Sequence, residues 1–234
     1  MPVQQKQNTK GFTLLELLVI VAIISILSGV GYPKFNKWQR DREIRVQAEK
    51  ITNLFTTATT QVERGAYPYV RVEFVNGTSP GQIIVKGINQ DMLSKKINGP
   101  TDPACSVADF TKTSDYEVDE ITSHTLDDKT YIPGLAPKAG KTSVGSGGAI
   151  CFSKGGKYFK QHGSTDLQGN IAFDNNSSAP TNNYVTVCHL SSSKCDAVGK
   201  SFDDDYPTYL VRYSRFGLIT KYKWNIKTSD WSSQ

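Results

Sequence analysis

Glu16 is the one charged side chain in Phe12–Val30, a stretch otherwise made of Leu, Ile, Val, Ala, Ser and Gly after Phe12 and Thr13. Nineteen residues of this character fall within the roughly 17 to 25 needed to cross a bilayer. A carboxylate inside hydrocarbon costs about 2.5 to 3.5 kcal/mol at the bilayer centre and less near an end, so a chain that keeps one there pairs it with something. The chemistry of the partner follows from the sign of the charge: it is an amine.

The other residues with chemical potential lie far downstream. Cys105, Cys151, Cys188 and Cys195 all follow the apolar run, and an even number of cysteines in an exported segment predicts two disulfides. Three pairings are open. The short segment ending Ser191-Ser192-Ser193-Lys194 can close a tight loop between Cys188 and Cys195, which leaves Cys105 for Cys151. No Cys-x-x-Cys occurs, and His124, His162 and His189 are scattered, so no metal site and no cofactor is expected. Nucleophile elbow, phosphate loop and HExxH are likewise missing from the sequence, and a non-enzymatic role is expected.

Near the chain end, Arg212, Arg215, Lys221, Lys223 and Lys227 interleave with Tyr213, Phe216, Tyr222 and Trp224. Basic residues beside aromatics can grip phosphates and stack bases. Alternation along strands offers a plainer reading, a basic face in water and an aromatic face buried.

These residues need elements to position them. Phe12–Val30 reads as a membrane-spanning helix, and Met1–Gly11, with Lys6 and Lys10 and no acid, is the cytoplasmic flank by the positive-inside rule. An ordinary secretory signal peptide, cut near Ser28–Gly31, fits less well. Its apolar region would run about 7 to 15 residues and would rarely contain Glu. Beyond Pro33 the helical period continues as a stripe of Ile44, Ala48, Ile51, Phe55, Ala58 and Val62, with Arg40, Asp41, Arg42, Glu43, Arg45, Glu49 and Lys50 on the water side. Gly65 is the expected stop, so one helix over Phe12–Arg64 would be about 80 Å long. Gly29, Gly31 and Pro33 mark its weak point.

From Tyr67 the period changes to two. Val70–Phe74, Gln82–Lys86, Ala149–Ser153, Lys157–Gln161, Ile171–Phe173, Tyr184–Leu190, Tyr209–Tyr213 and Leu218–Trp224 are predicted strands, with turns at Asn76-Gly77, Gly155-Gly156 and Ser214–Gly217. Residues 88–148, rich in Gly, Pro, Asp and Thr, predict an irregular insertion. The fold class is therefore α+β, a long N-terminal helix packed on an antiparallel sheet. A chain of 234 residues suffices for one membrane helix and one globular domain.

Lys10-Gly11-Phe12-Thr13-Leu14-Leu15-Glu16 resembles the leader junction of type IV pilins and type II secretion pseudopilins. The resemblance implies that a prepilin peptidase cuts after Gly11 and methylates the new amine on Phe12. Glu16 then becomes the fifth residue of the mature chain and Pro33 the twenty-second, where this family commonly has Pro. Glu16 of an incoming subunit would neutralise the Phe12 amine of a neighbour. The implied organisation is a leader 1–11, a membrane and filament-core helix 12–33 and a periplasmic pilin-like domain 34–234. The implied partners are the peptidase, other pilin or pseudopilin subunits, an inner-membrane assembly platform and the bilayer itself. The implied location is the inner membrane, then the pilus or pseudopilus.

The helix end Thr60-Gln61-Val62-Glu63-Arg64-Gly65-Ala66, the strand Val70–Phe74 and the run Arg212–Gly217 resemble the GspH/FimT group of minor pilins and pseudopilins. The resemblance implies a structural subunit that helps initiate or cap a filament. The alternative is a DNA-binding minor pilin acting in natural transformation, with Arg212, Arg215, Lys221 and Lys223 as its contacts. Some FimT-like proteins bind DNA through a C-terminal Gly-Arg-x-Arg, where this chain has Gly217-Leu218-Ile219-Thr220. Losing Lys6 and Lys10 with the leader also lowers the net charge from +5 to +3. Asp203-Asp204-Asp205 lies where major pseudopilins carry a calcium loop but lacks the DxDxDG form, and is read as a solvated acidic loop.

Overall fold

The apolar stripe on the second half of the first helix draws two sheets onto itself. In the computed structural model, helix α1 runs Leu14–Glu63, and Ile44, Ala48, Ile51, Phe55, Ala58 and Val62 are each no more than 2% exposed. The structure describes residues 12–75, 81–98, 105, 110, 118–132, 148–157, 160–162, 183–196 and 201–234. Gly11 and the rest of the leader, the Asn76-Gly77 turn, the strand expected at Ile171–Phe173 and part of the 88–148 segment lie outside the described residues. The chain divides into two compact units, Met1–Gln39 and Arg40–Gln234.

In the first unit, Leu14–Leu27 is exposed along its length. A break falls between Gly29 and Lys34, around Gly31 and Pro33. No single helix among the described residues is long and apolar enough to cross a membrane, but Leu14–Gly29 and Lys34–Glu63 taken together satisfy that length and composition.

The second unit begins with the remainder of α1, which stops because Gly65 adopts φ 75°, a left-handed conformation that a side chain would disfavour. Gly65 N–H donates to the Val62 carbonyl at 3.1 Å and Ala66 N–H to the Gln61 carbonyl at 3.1 Å, the paired bonds of a Schellman cap. The elements that follow are β1 (Tyr69–Val75), β2 (Gln82–Ile88), α2 (Gln90–Ile97), β3 (Val118–Thr125), β4 (Thr130–Tyr131), β5 (Ala149–Ser153), β6 (Lys160–His162), β7 (Tyr184–His189), β8 (Cys195–Asp196), β9 (Ser201–Phe202), β10 (Thr208–Tyr213), β11 (Ile219–Asn225) and β12 (Asp230–Ser233). They form two five-stranded antiparallel sheets, β3-β2-β1-β5-β6 and β12-β11-β10-β7-β4, and a small β8-β9 pair. Two sheets thus stand where the sequence predicts one. The segment 88–148 also holds more regular structure than its composition predicts, namely α2, β3 and β4.

Alternation decides which side chains meet the helix. Val70, Val72 and Phe74 of β1, Ile150 and Phe152 of β5, Val185 and Val187 of β7, and Tyr209, Val211 and Tyr213 of β10 join the α1 stripe in one core. Phe55 is central to it, with ring centroids of Tyr213, Phe74 and Phe152 at 5.0, 6.2 and 6.3 Å.

The opposite faces of both sheets carry apolar side chains too, and each group has a cover. Tyr69, Ile88, Ala149 and Cys151 pack under Met92, Leu93, Cys105 and Phe110. Tyr184 and Leu210 pack with Phe202, Tyr222, Trp224 and Trp231. A disulfide ties each cover down, Cys105 to Cys151 and Cys188 to Cys195, with Cα–Cα distances of 5.7 and 6.3 Å. Chain-entropy accounting assigns about 4 kcal/mol to closing the 46-residue loop and about 2 kcal/mol to the 7-residue one.

The polar side of α1 is less solvated than its sequence suggests. Asp41, Glu43 and Glu49, expected to face water, are half-buried against the strands. Lys221 Nζ lies 2.8 Å from Glu49 Oε1, Lys223 Nζ 2.6 Å from Asp41 Oδ1 and Lys129 Nζ 2.9 Å from Glu43 Oε1. Tyr209 also donates to Asp41 Oδ1 at 3.0 Å. Lys221 and then Arg45 hold the Glu49 carboxyl below the usual carboxylate range.

Two consequences are measurable. Phe55→Ala should cost about 3 to 5 kcal/mol in chemical denaturation, because it empties the point where both sheets meet the helix; a loss under about 1 kcal/mol would mean that the core collapses around it. The Glu49 pairing is complete above the unfolded Glu value of about 4.3 and is lost as pH falls through its lower folded value. Thermal midpoints taken from about pH 7 to about pH 3 should therefore fall more steeply for the native chain than for Glu49→Gln, and identical slopes would show that the pair adds nothing.

Candidate functional site

The start of α1 is built around Thr13. Its Oγ1 accepts the backbone N–H of Glu16 at 3.2 Å, and its carbonyl accepts the N–H of Leu17 at 3.2 Å. Thr13 is thus an N-cap, meeting one of the donors that a helix start leaves without an intrahelical partner. Thr13-Leu14-Leu15-Glu16 has the spacing of a capping box, a signal that was readable in the sequence and accounts for an acid at this turn on structural grounds alone.

Glu16 therefore sits in the first turn, where the helix dipole favours a negative charge by about 0.3 to 1 kcal/mol. It is exposed, as is Phe12 at 77%. Phe12 and Thr13 precede the helix, so an amine on Phe12 would be carried on non-helical backbone four residues before Glu16.

The other candidates separate from one another. Lys221 and Lys223 face α1 and are engaged by Glu49 and Asp41, at distances of 2.8 and 2.6 Å. The basic face expected in water is thus turned onto the helix. Arg212 lies on the opposite side of β10, in step with Leu210 rather than with Val211 and Tyr213. The Arg215 guanidinium lies over the ring of Phe216, 5.0 Å from its centroid, in the turn between β10 and β11. The four cationic candidates do not form one patch. Sequence reasoning missed Asp41 and Glu49 as their partners, since those residues lie on the helix far from β11 in the chain.

The histidines have local duties. His124 Nε2 lies 2.8 Å from Gln47 Oε1, and Gln47 Nε2 donates to Asp127 at 3.0 Å, linking α1 to the end of β3. His189 stacks on Tyr206 at 4.7 Å and accepts the Ser191 N–H at Nδ1, 3.1 Å. Burial lowers both imidazole pKa values. Asp203 Oδ2 accepts the N–H and hydroxyl of Ser193, while Oδ1 accepts the N–H of Asp205. That carboxylate closes turns. Among the described residues no three His, Cys, Asp or Glu side chains converge as a metal site would require.

Comparison with known proteins bears on the first of these places. Residues 6–32 match the prokaryotic N-terminal methylation motif. The type IV major pilin protein PilA of Myxococcus xanthus is 44% identical over 54 residues, which is 23% of this chain and 23% of that one. Two fimbrial proteins of Pseudomonas aeruginosa are each 32% identical over 56 residues, 24% of this chain and 36% of theirs. The chain thus spans about a quarter to a third of the length of the curated relatives it matches. No solved structure matches it. Residues 6–32, which hold Phe12, Thr13 and Glu16, thus carry the prokaryotic N-terminal methylation motif, and over about a quarter of its length the chain is similar to type IV pilin and fimbrial proteins.

Proposed function

We propose that this protein is a structural, non-enzymatic filament subunit, a minor pilin or pseudopilin that helps start or cap a type IV pilus or a type II secretion pseudopilus. The observation that carries the reading is the conjunction at the start of the chain: a Gly11-Phe12 junction, a lone acid at Glu16, and an apolar helix left exposed behind it. Before assembly the bilayer solvates that helix, and in the filament other copies or related subunits replace the lipid. The leader is cytoplasmic, the Arg40–Gln234 unit lies on the far side of the inner membrane, and prepilin peptidase and an assembly platform are the machinery the chain meets.

The DNA-binding alternative for natural transformation is weaker. Two of its four cations are already neutralised by helix carboxylates, and a third lies on another face. Phosphate contact depends on cations able to displace counterions, and each lysine held by an acid contributes less to that exchange.

The mature protein should begin at Phe12 with a methylated amine, which mass spectrometry of the N-terminal peptide from membranes will detect. Cleavage near Gly31, or a chain beginning at Met1, would sink the pilin reading. Glu16→Leu should insert into membranes normally, yet enter sheared filaments about a hundredfold less, the equilibrium equivalent of the roughly 3 kcal/mol lost when one member of a buried ion pair is removed. Crosslinking in membranes and in filaments separates the two steps. Unchanged incorporation would show that the Phe12 amine needs no partner.

A further inference from the structure

Just beyond the apolar run, Tyr32, Phe35 and Trp38 recur every third residue of α1. Tyr32 lies within the break between Gly29 and Lys34, and Phe35 and Trp38, about one turn apart beyond it, share one side of the helix. They are 69%, 58% and 55% exposed, and the Phe35 and Trp38 ring centroids lie 5.8 Å apart with planes tilted by 39°. Lys34 and Lys37 alternate with them and are also exposed.

The types and the position of these five residues agree on one surrounding. Tyr and Trp carry an apolar body with a polar tip, and they collect where hydrocarbon gives way to headgroups. Lysine at that level extends its ammonium to phosphate while its stem stays in the apolar layer. From Phe12 to Tyr32 is about 20 residues, most of them helical, or about 30 Å of chain, close to the hydrocarbon thickness of a bilayer. The aromatics therefore fall at the headgroup boundary when Phe12 is at the opposite one.

We propose that Tyr32, Phe35 and Trp38, with Lys34 and Lys37, form a ledge that binds the phospholipid headgroup region of the outer leaflet and fixes the depth of the helix before assembly. The ledge rests on the reading of Phe12–Val30 as a membrane anchor and adds its register. It also has a consequence for Glu16. Measured from Tyr32, Glu16 is about 24 Å along the helix, so a ledge held at one boundary leaves the carboxylate about 6 Å inside the other. The cost of a charge falls steeply towards that boundary, where headgroups and water can reach it. Sliding the helix outward by a turn would carry Glu16 deeper before any partner amine arrives.

The test uses the full chain in vesicles of phosphatidylcholine and phosphatidylglycerol whose acyl chains carry bromine either near the headgroup or near the chain end. Subtracting the fluorescence of Trp38→Phe isolates Trp38 from Trp224 and Trp231. Trp38 emission should be lost more strongly to bromine near the headgroup, and in a Tyr32→Leu/Phe35→Leu variant that depth preference should shrink while the chain still floats with the vesicles. Stronger loss to chain-end bromine, or no loss to either in a chain that floats, would overturn the ledge and leave the anchor standing. Shielding of Trp38 from a soluble quencher in filaments but not in vesicles would do the same, assigning the aromatics to subunit contact. A chain that does not float with the vesicles would overturn the anchor, and the ledge with it.

Discussion

A single helix has to satisfy two surroundings, and the change in its hydrophobic pattern is the constraint on which the rest of the molecule depends. Over Leu14–Leu27 the apolar side chains point in every direction and are exposed, a surface that water does not tolerate. From Ile44 to Val62 they narrow to one stripe. The first pattern demands an apolar surrounding on all sides. The second demands a domain on one side only, and the two sheets supply it. Glu16 is acceptable because it stands at the end of the first pattern, in a turn whose cap and dipole already suit an acid.

The stripe alone does not fix how the sheets sit around it. Phe55 touches aromatic rings from β1, β5 and β10, so strands from both sheets converge at one point of the helix. Around that apolar seam, Glu43, Glu49 and Asp41 reach lysines on β11 and beside β4. Exposed ion pairs are worth little, about 0 to 1 kcal/mol each, but they penalise a helix rotated about its axis, since rotation would leave half-buried lysines facing apolar side chains. The apolar stripe supplies the affinity between helix and sheets, and the charges supply the rotational register.

Much of this was legible because it is local. The helix stripe was readable from its spacing, and so were the strands at Val70–Phe74, Tyr184–Leu190, Tyr209–Tyr213 and Leu218–Trp224, because each carries its periodicity within a few residues. β3 was not readable. Val118–Thr125 is mostly polar, and it becomes a strand by pairing its backbone with β2 at the edge of a sheet. α2 was missed because eight residues give too few turns for a period to emerge. The division into two sheets was hidden for another reason: alternation says which side chains share a face, but not which strand lies beside which. The same limit applied to the site. Thr13 and Glu16 are three residues apart and readable, whereas the pairing of Lys221 with Glu49 spans the fold and reversed the expectation of a basic face in water.

The two covers explain where the capacity for association lies. Both outer sheet faces carry an apolar cluster, and bare these would offer surfaces for indiscriminate sticking. The layers that hide them are slight, a helix of eight residues on one side and two-residue strands on the other, too short to persist alone. Each is fastened by a disulfide, a bond that endures once a chain has left the reducing compartment. With the covers in place, the large apolar side chains exposed among the described residues of Arg40–Gln234 are Val46, Phe216, Leu218 and Ile226, whereas those of Met1–Gln39 run almost unbroken from Phe12 to Trp38. Hydrophobic association scales with the area withdrawn from water. The apolar surface left for association is therefore concentrated in the first unit, while the described surface of the second is largely free of it.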